Sequence, residues 1–123
     1  MATLTPTLTL ASSDMNGDVL NLSVTHSLSV LGQVTTKQVV ATTTGVVFAT
    51  AANYTKSYVY LKNLSTTAAE IITIEKADGG DEYFTLGAGE FAFFPWASIV
   101  DLALDAATGS PVLEVRIYQE AAA

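Results

Sequence analysis

The sequence has no cysteine and a single histidine, His26, among its 123 residues. The absence of cysteine excludes disulfides, thiolate metal ligands and a cysteine nucleophile. One histidine gives no support to a histidine-rich zinc site or to most histidine-based catalytic triads. We therefore predict that the protein is not an enzyme and has no catalytic residue, cofactor or metal ion.

Charge is also scarce, because Asp, Glu, Lys and Arg make up only 14% of a chain that is 50% hydrophobic. A free monomer normally carries a surface of mixed charges. This composition therefore favours a subunit that covers much of its surface against neighbours. The formal net charge of -7 argues against a phosphate-binding groove, and no nucleic-acid partner is predicted.

The few acids are unevenly distributed, since ten of the twelve follow Ala69. One interpretation is a polarised molecule, with one surface docked and the other exposed. Acids scattered over turns and outer strand faces would give the same bias, so both interpretations stay open.

Long apolar runs are missing as well. No stretch approaches the ~20 residues that a membrane helix needs, and no membrane partner is predicted. The first ten residues contain neither the basic segment nor the continuous apolar segment of a signal peptide. We expect a soluble protein that is made in a cytoplasm.

What the chain does have is alternation of apolar and polar residues. Residues 3–10 place Leu4, Leu8 and Leu10 on one face and threonines on the other, the period of a β-strand. Pro6 cannot donate a hydrogen bond to a neighbouring strand. Residues 1–12 are therefore predicted to be an edge strand or a pairing arm that can reach a neighbouring subunit.

The longest alternating run covers residues 19–31 and would span ~40 Å as one strand, so we expect a bend or bulge within it. Gly32 is expected to end it. His26 interrupts its apolar face, which favours a core or interface histidine over a ligand or a pH switch.

Residues 57–96 hold most of the aromatic side chains and are predicted to form four short strands. In the first of these, Tyr58, Tyr60 and Lys62 are predicted to face outward. With Trp96, the two tyrosines fit either a flat platform for sugar rings or an oligomer interface, and we favour the interface. The complete predicted interface is Leu4, Leu8, Leu10, Tyr58, Tyr60, Lys62 and Trp96.

Turn signals every 8 to 12 residues, with no convincing helix, predict an all-β protein. We expect a single domain over residues 1–123, an antiparallel β-sandwich or barrel of jelly-roll type with about eight to ten short strands. Residues 120–123 are predicted to be a frayed tail.

Weaker motifs have simpler explanations. Asp14, Asn16 and Asp18 have the spacing that opens a calcium loop, but Thr25 stands where the loop needs glutamate. An Asn-Gly turn is favoured there. The glycines of residues 87–89 lack the third glycine and the helix of a dinucleotide loop. Asp78, Asp81 and Glu82 could gather a cation, but a solvated acidic hairpin tip is favoured. Asp101 and Asp105, with Glu90, could form the carboxylate pair of a glycosidase.

Residues 46–119 resemble the small all-β virion proteins of tailed bacteriophages. In those chains a strand ends in a Lys/Arg-Asn-x-Ser turn and is followed by an Ile/Val strand. An L-x-x-G-E-x-x-x-x-P segment comes next, and an alternating strand closes the chain. The matching residues here are Lys62, Asn63, Ser65, Leu86, Gly89, Glu90 and Pro95.

The resemblance implies a structural protein of the phage particle, made in the host bacterial cytoplasm. The favoured form is a capsid decoration (cement) protein on the capsid surface, which binds the major capsid protein as a homo-oligomer, with a trimer favoured. A tail, neck or fibre component that contacts other virion proteins is an alternative, and a carbohydrate-binding β-sandwich module is another. The resemblance implies no catalytic residues.

Overall fold

The computed structural model describes residues 1–15, 18–78 and 80–121. Within them the chain consists almost entirely of antiparallel strands, and the predicted all-β, sandwich-like fold is confirmed. A 3₁₀ turn at Ala51–Asn53 is short. The eleven strands are β1 (Ala2–Leu4), β2 (Thr7–Met15), β3 (Asp18–Thr25), β4 (Leu28–Val40), β5 (Val46–Ala49), β6 (Ser57–Asn63), β7 (Ile72–Lys76), β8 (Glu82–Leu86), β9 (Phe91–Trp96), β10 (Leu102–Ala106) and β11 (Val112–Glu120).

The chain forms two compact units. Unit 1 comprises Met1–Gly32 and the end of the chain from Ala121, and unit 2 comprises Gln33–Glu120. The boundary falls inside β4, so no loop separates the units in sequence. A single domain over residues 1–123 stays a prediction.

Unit 1 contains two strand pairs. β1 pairs with the start of β4, and β2 pairs with β3 in a hairpin. Pro6 separates β1 from β2, because its ring removes the donor that a continuous strand would use. The interruption expected in residues 19–31 lies at His26 and Ser27. His26 is exposed, so it is not the core histidine that its apolar face suggested.

The expectation that Gly32 ends a strand is wrong. β4 continues through Gly32 to Val40, because a glycine weakens a strand without removing its hydrogen-bonding groups. The predicted turn at Asn16 and the calcium spacing that includes Asn16 lie outside the described residues.

Unit 2 contains two four-stranded sheets. One has the order β4–β11–β6–β9 and the other the order β5–β10–β7–β8. β4 and β5 belong to different sheets, and the connection at residues 42–45 crosses between them. Gly45 has φ +90° there, a conformation that glycine adopts without strain. Pro95 lies within β9, an edge strand, where proline is tolerated.

The inward side chains of both sheets form one hydrophobic core. The predicted outward direction of Tyr58, Tyr60 and Lys62 places the alternate residues of β6 inward, and the inward residues of β6 and β11 are fully or almost fully buried. Burial of each such aliphatic side chain contributes about 1.5–3 kcal/mol. The largest fully buried aliphatic side chains of this core are Val59, Leu61, Ile72, Ile74, Leu104, Leu113, Val115 and Ile117.

Candidate functional site

The outer face of the β4–β11–β6–β9 sheet presents a set of aromatic side chains. Three rows cross strands β11, β6 and β9, with one residue of each strand in each row. We call these nine residues the aromatic face. The rows are Glu114–Lys62–Phe91, Arg116–Tyr60–Phe93 and Tyr118–Tyr58–Pro95.

The aromatic face exists because each strand alternates. In β9, Ala92 and Phe94 pack against the core, so Phe91 and Phe93 must point outward and are 61% and 41% exposed. Five aromatic rings and a proline therefore stand beside two bases and one acid. Tyr, Phe and Arg are the residue types enriched in protein interfaces, and exposed phenylalanines are unusual elsewhere.

Tyr58 forms the most tightly held corner of this face. Its hydroxyl donates to Glu120 Oε1 at 2.9 Å, and its ring stacks on Phe93 with centroids 6.4 Å apart. Lys56 Nζ lies 5.5 Å from the same ring and 3.5 Å from Glu120. The Glu120 carboxylate raises the pKa of Lys56. Tyr58 is only 8% exposed, so it supports the face more than it offers its own ring.

Tyr60 lies at the centre of the middle row and is partly accessible. Together with Glu114, Arg116 and Tyr118 it lines an open depression of about 280 Å³. Burial, followed by the nearby Glu114 carboxylate, raises the pKa of the Tyr60 phenol. Arg116 lies 3.7 Å from Glu114. The depression thus combines aromatic walls with a charged pair.

Trp96 occupies the opposite face of the same sheet. It pairs with Ser57 and is 6% exposed within the core cluster. Its Nε1 donates to the carbonyl oxygen of Val100 at 3.2 Å, and its ring lies 5.7 Å from that of Tyr54. The structure therefore does not bring Trp96 together with Tyr58 and Tyr60, because the sheet separates them. As an interface residue Trp96 was misplaced, since strand alternation turns it inward.

The outer face of the other sheet of unit 2 is acidic. Glu75 and Asp105 lie on it, and Glu82 is the partner of Glu75 across β8. We call these three residues the acidic face. Burial raises the pKa of Glu75, and the carboxylates of Asp105 and Glu82 raise it further. One outer face of unit 2 thus carries three carboxylates, whereas the aromatic face carries two bases and one acid. A polarised molecule with one docked surface stays a prediction.

In unit 1 the β2–β3 hairpin has a distinct apolar side. Leu8 pairs with Val24 and Leu10 with Leu22, and these four side chains are 42–52% exposed. We call them the apolar ribbon. The predicted interface residues Leu8 and Leu10 lie in it, whereas Leu4 belongs to β1, where it pairs with Leu28 and is half-buried.

Sequence reasoning missed several of these residues. Phe91 and Phe93 were not predicted as interface residues, although Phe91, Phe93 and Pro95 alternate with three inward residues in FAFFPW. Lys62 was predicted and lies in the first row beside Phe91. Leu22 and Val24 were missed because their pairing with β2 depends on the hairpin register.

The motif that carries the phage resemblance forms a structural cluster around Asn63, which is fully buried. Its Nδ2 donates to the carbonyl oxygens of Glu70 at 2.9 Å and Leu86 at 3.0 Å, and its Oδ1 accepts from the Ser65 N–H at 3.0 Å. The backbone of Asn63 bonds to Gly89 and Glu90. These residues hold turns in place and have no visible chemistry.

Two of the acids considered for alternative sites, Asp101 and Glu90, accept hydrogen bonds from the backbone of loops. Asp101 accepts from the Ala51 N–H at 2.7 Å, and Glu90 accepts from the Gly87 N–H at 2.5 Å. Both therefore hold loops, and Asp105 lies apart on the acidic face. Across residues 1–15, 18–78 and 80–121, no three carboxylates or histidines gather to hold a metal ion, and Asp78, Asp81 and Glu82 are included in that range.

No helix in the described part of the chain has the length and apolar composition to cross a bilayer. No protein-family model matches the chain, and no curated protein sequence matches it either.

Two solved structures are similar to this chain at a low level. A chain from Bacillus endospore appendages, described as disulfide-linked pili, has a TM-score of 0.47 and 14% identity over 76% of this chain and 90% of that one. A carbohydrate-binding module of Cellvibrio mixtus lichenase 5A, in complex with cellotriose, has a TM-score of 0.39 and 13% identity over 94% of this chain and 88% of that one. Likeness at this level assigns neither a family nor a function.

Proposed function

We propose that the protein is a non-enzymatic structural subunit of a tailed-phage particle that binds its particle through the aromatic face. In its most specific form the proposal is a capsid decoration (cement) protein, homotrimeric and located on the capsid surface. Its partner there is the major capsid protein. The observation that carries the proposal is the exposure of Phe91 and Phe93 beside Tyr60 and Arg116 on one rigid sheet.

The chemistry of the face supports a protein partner. Tyr, Phe and Arg are typical of the residues that contribute most binding energy at interfaces. Because β6 and β11 pair over seven residues, the rows are preorganised, and little conformational entropy is lost on docking. Two bases against one acid favour a partner surface that is mainly apolar and carries a carboxylate opposite Arg116 or Lys62.

Such binding would stabilise a shell by simple linkage. A subunit that binds the assembled shell but not its separated parts adds about 2.7 kcal/mol per site at a concentration 100 times its Kd. Several linked copies that engage neighbouring sites together bind more tightly than one copy alone. The choice of a phage head as the particle in this proposal is based on the resemblance of residues 46–119 to phage virion proteins.

The test uses particles that lack this protein and to which purified protein is added back. We expect the wild-type protein to bind and to raise the temperature at which the particles release DNA. Phe91→Asp places a charge at the most exposed ring, and we expect a loss of about 2–4 kcal/mol of binding free energy. Binding is measured by co-sedimentation, and DNA release with a fluorescent dye.

The matched control is Thr85→Asp, an exposed β8 residue of the other sheet, which is expected to bind like the wild type. Equal binding by wild type and Phe91→Asp would contradict the role of the aromatic face. A location on the tail, neck or fibre in an electron-microscopy map would replace the capsid form of the proposal with its alternative. The carbohydrate-binding alternative loses Trp96 from its platform, since Trp96 is in the core, and keeps Tyr58 and Tyr60.

A further inference from the structure

The apolar ribbon lies on a hairpin that lacks the usual means of stability. β2 and β3 form a two-stranded sheet of their own, and an isolated two-stranded hairpin is at best marginally stable in water. Covering its apolar side would supply the missing stabilisation. The ribbon residues Leu8, Leu10, Leu22 and Val24 are the natural place for that cover.

The composition of the hairpin indicates which kind of surface covers it. From Met1 to Gly32 the sequence has no lysine, arginine or aromatic residue, and its acids are only Asp14 and Asp18. Recognition of a different protein normally uses aromatic and arginine anchors and directional polar groups, and the ribbon has none of these. Contacts between identical subunits are more apolar and do not need such anchors.

We propose that the apolar ribbon binds the apolar ribbons of other copies of this chain, so that the hairpins form the contact between subunits. Packing like against like is unfavourable when the surface carries charge, but Leu8, Leu10, Leu22 and Val24 carry none. A surface that meets its own copy around a twofold axis must be self-complementary, and in a ring of three each copy must offer a surface that fits its neighbour. Two pairs of aliphatic side chains on a regular ribbon meet that requirement.

The apolar ribbon and the aromatic face then have separate roles. The ribbon joins copies, and the aromatic face of unit 2 remains available for the particle. The inference does not depend on the proposed phage function, because it concerns pure protein in solution. Failure to bind a particle and failure to form an oligomer are therefore distinguishable results.

The absence of cysteine makes cross-linking a sharp test. Leu10→Cys introduces one thiol per chain, so any disulfide must join two copies. We place the symmetry axis beside Leu10, where the same residue of two copies comes within the ~7 Å Cα separation that a disulfide requires. We expect mild oxidation to convert most of this variant to covalent dimer.

Thr9→Cys is the matched control, because Thr9 directly precedes Leu10 in β2, is exposed, and points to the other side of the hairpin. It is expected to stay largely monomeric on a denaturing gel. Equal cross-linking of the two variants would overturn the proposal, as would a failure of Leu10→Cys to cross-link while the wild type is oligomeric.

The second measurement is the mass in solution by analytical ultracentrifugation. We expect the wild type to sediment as a multiple of its 12.9 kDa chain mass and Leu22→Asp to sediment as the 12.9 kDa monomer. Ser23→Asp, on the opposite side of β3, is expected to keep the wild-type mass. The proposal is overturned by a wild type that is monomeric or by a Leu22→Asp variant that keeps the full mass.

Discussion

The side chain of Asn63 joins two segments of unit 2 that are far apart in sequence. Its Nδ2 donates to the carbonyl oxygen of Leu86 at 3.0 Å and to that of Glu70 at 2.9 Å. Both carbonyls would otherwise compete for water at the end of a packed sandwich. In the described residues, every buried side-chain nitrogen or oxygen of the non-exposed residues has a hydrogen-bond partner. The buried Asn63 amide meets this condition through its own hydrogen bonds.

Asn63→Ala is expected to lower the free energy of unfolding by about 2–4 kcal/mol, because it leaves buried carbonyl groups without donors. Urea unfolding followed by the fluorescence of Trp96, the single tryptophan, measures this change. Thr66→Ala, at an exposed residue of the same connection, is the control and should stay within about 0.5 kcal/mol of the wild type. A similarly small effect of Asn63→Ala would contradict the structural role assigned to this residue.

Glu75 makes the stability of the folded protein depend on pH in a predictable direction. Its pKa in the folded chain is raised above the usual 4.5 by burial and by Asp105 and Glu82. The folded chain therefore binds this proton more tightly than the unfolded chain does, and the free energy of unfolding contributed by Glu75 falls as the pH rises through its pKa.

Glu75→Gln is expected to raise the melting temperature at a pH above the pKa of Glu75, where the wild-type carboxylate is charged. The advantage should shrink as the pH is lowered towards the raised pKa, because the wild-type residue then becomes neutral as well. Thermal unfolding between pH 7 and pH 5 measures both. Asp81→Asn changes an exposed acid outside the acidic face and serves as the control. A melting temperature of Glu75→Gln at or below that of the wild type at the highest pH would contradict the expectation.

The Tyr58 hydroxyl should contribute modestly to stability. Tyr58→Phe removes the hydrogen bond to Glu120 but keeps the ring on Phe93. We expect a loss of about 1 kcal/mol, because the acceptor is charged but partly exposed. Chemical denaturation measures it, and a loss above that of Asn63→Ala would show that the hydroxyl does more than hold this corner.

The burial of Trp96 predicts that sugars leave its fluorescence unchanged. Cello-oligosaccharides, xylan fragments and mannan fragments can be titrated against the protein, with emission followed throughout. A sugar that stacked on Trp96 would shift or quench the emission, and saturable quenching would contradict the buried position of Trp96.

Trp96→Ala is expected to lower the free energy of unfolding by about 3–5 kcal/mol, as for other large core residues.

Much of unit 2 could be predicted from the sequence. The alternation of β6 and β11 identified which residues face the core, since one face of a buried strand must be apolar. The placement of Trp96 was missed because its position at the end of FAFFPW was considered apart from the period of that strand. The same period gives Phe91 and Phe93 an outward direction.

Pairing could not be predicted in the same way. The separation of β4 and β5 into different sheets depends on contacts between residues distant in sequence, and a local Thr-rich connection does not encode them. Prediction of the apolar ribbon also required knowledge of the strand register that places Leu10 against Leu22. Alternation alone showed that Leu8 and Leu10 share a face, without showing what lies beside them.

The opposite outer faces of unit 2 have an electrical consequence for any particle that this protein coats. Docking by the aromatic face turns Glu75, Glu82 and Asp105 towards the medium, on a chain whose formal charge is -7. A coated particle should migrate faster towards the anode than a bare one, with an increment that grows with the number of sites filled. Particle electrophoresis could therefore count occupancy and report the orientation of the bound subunit.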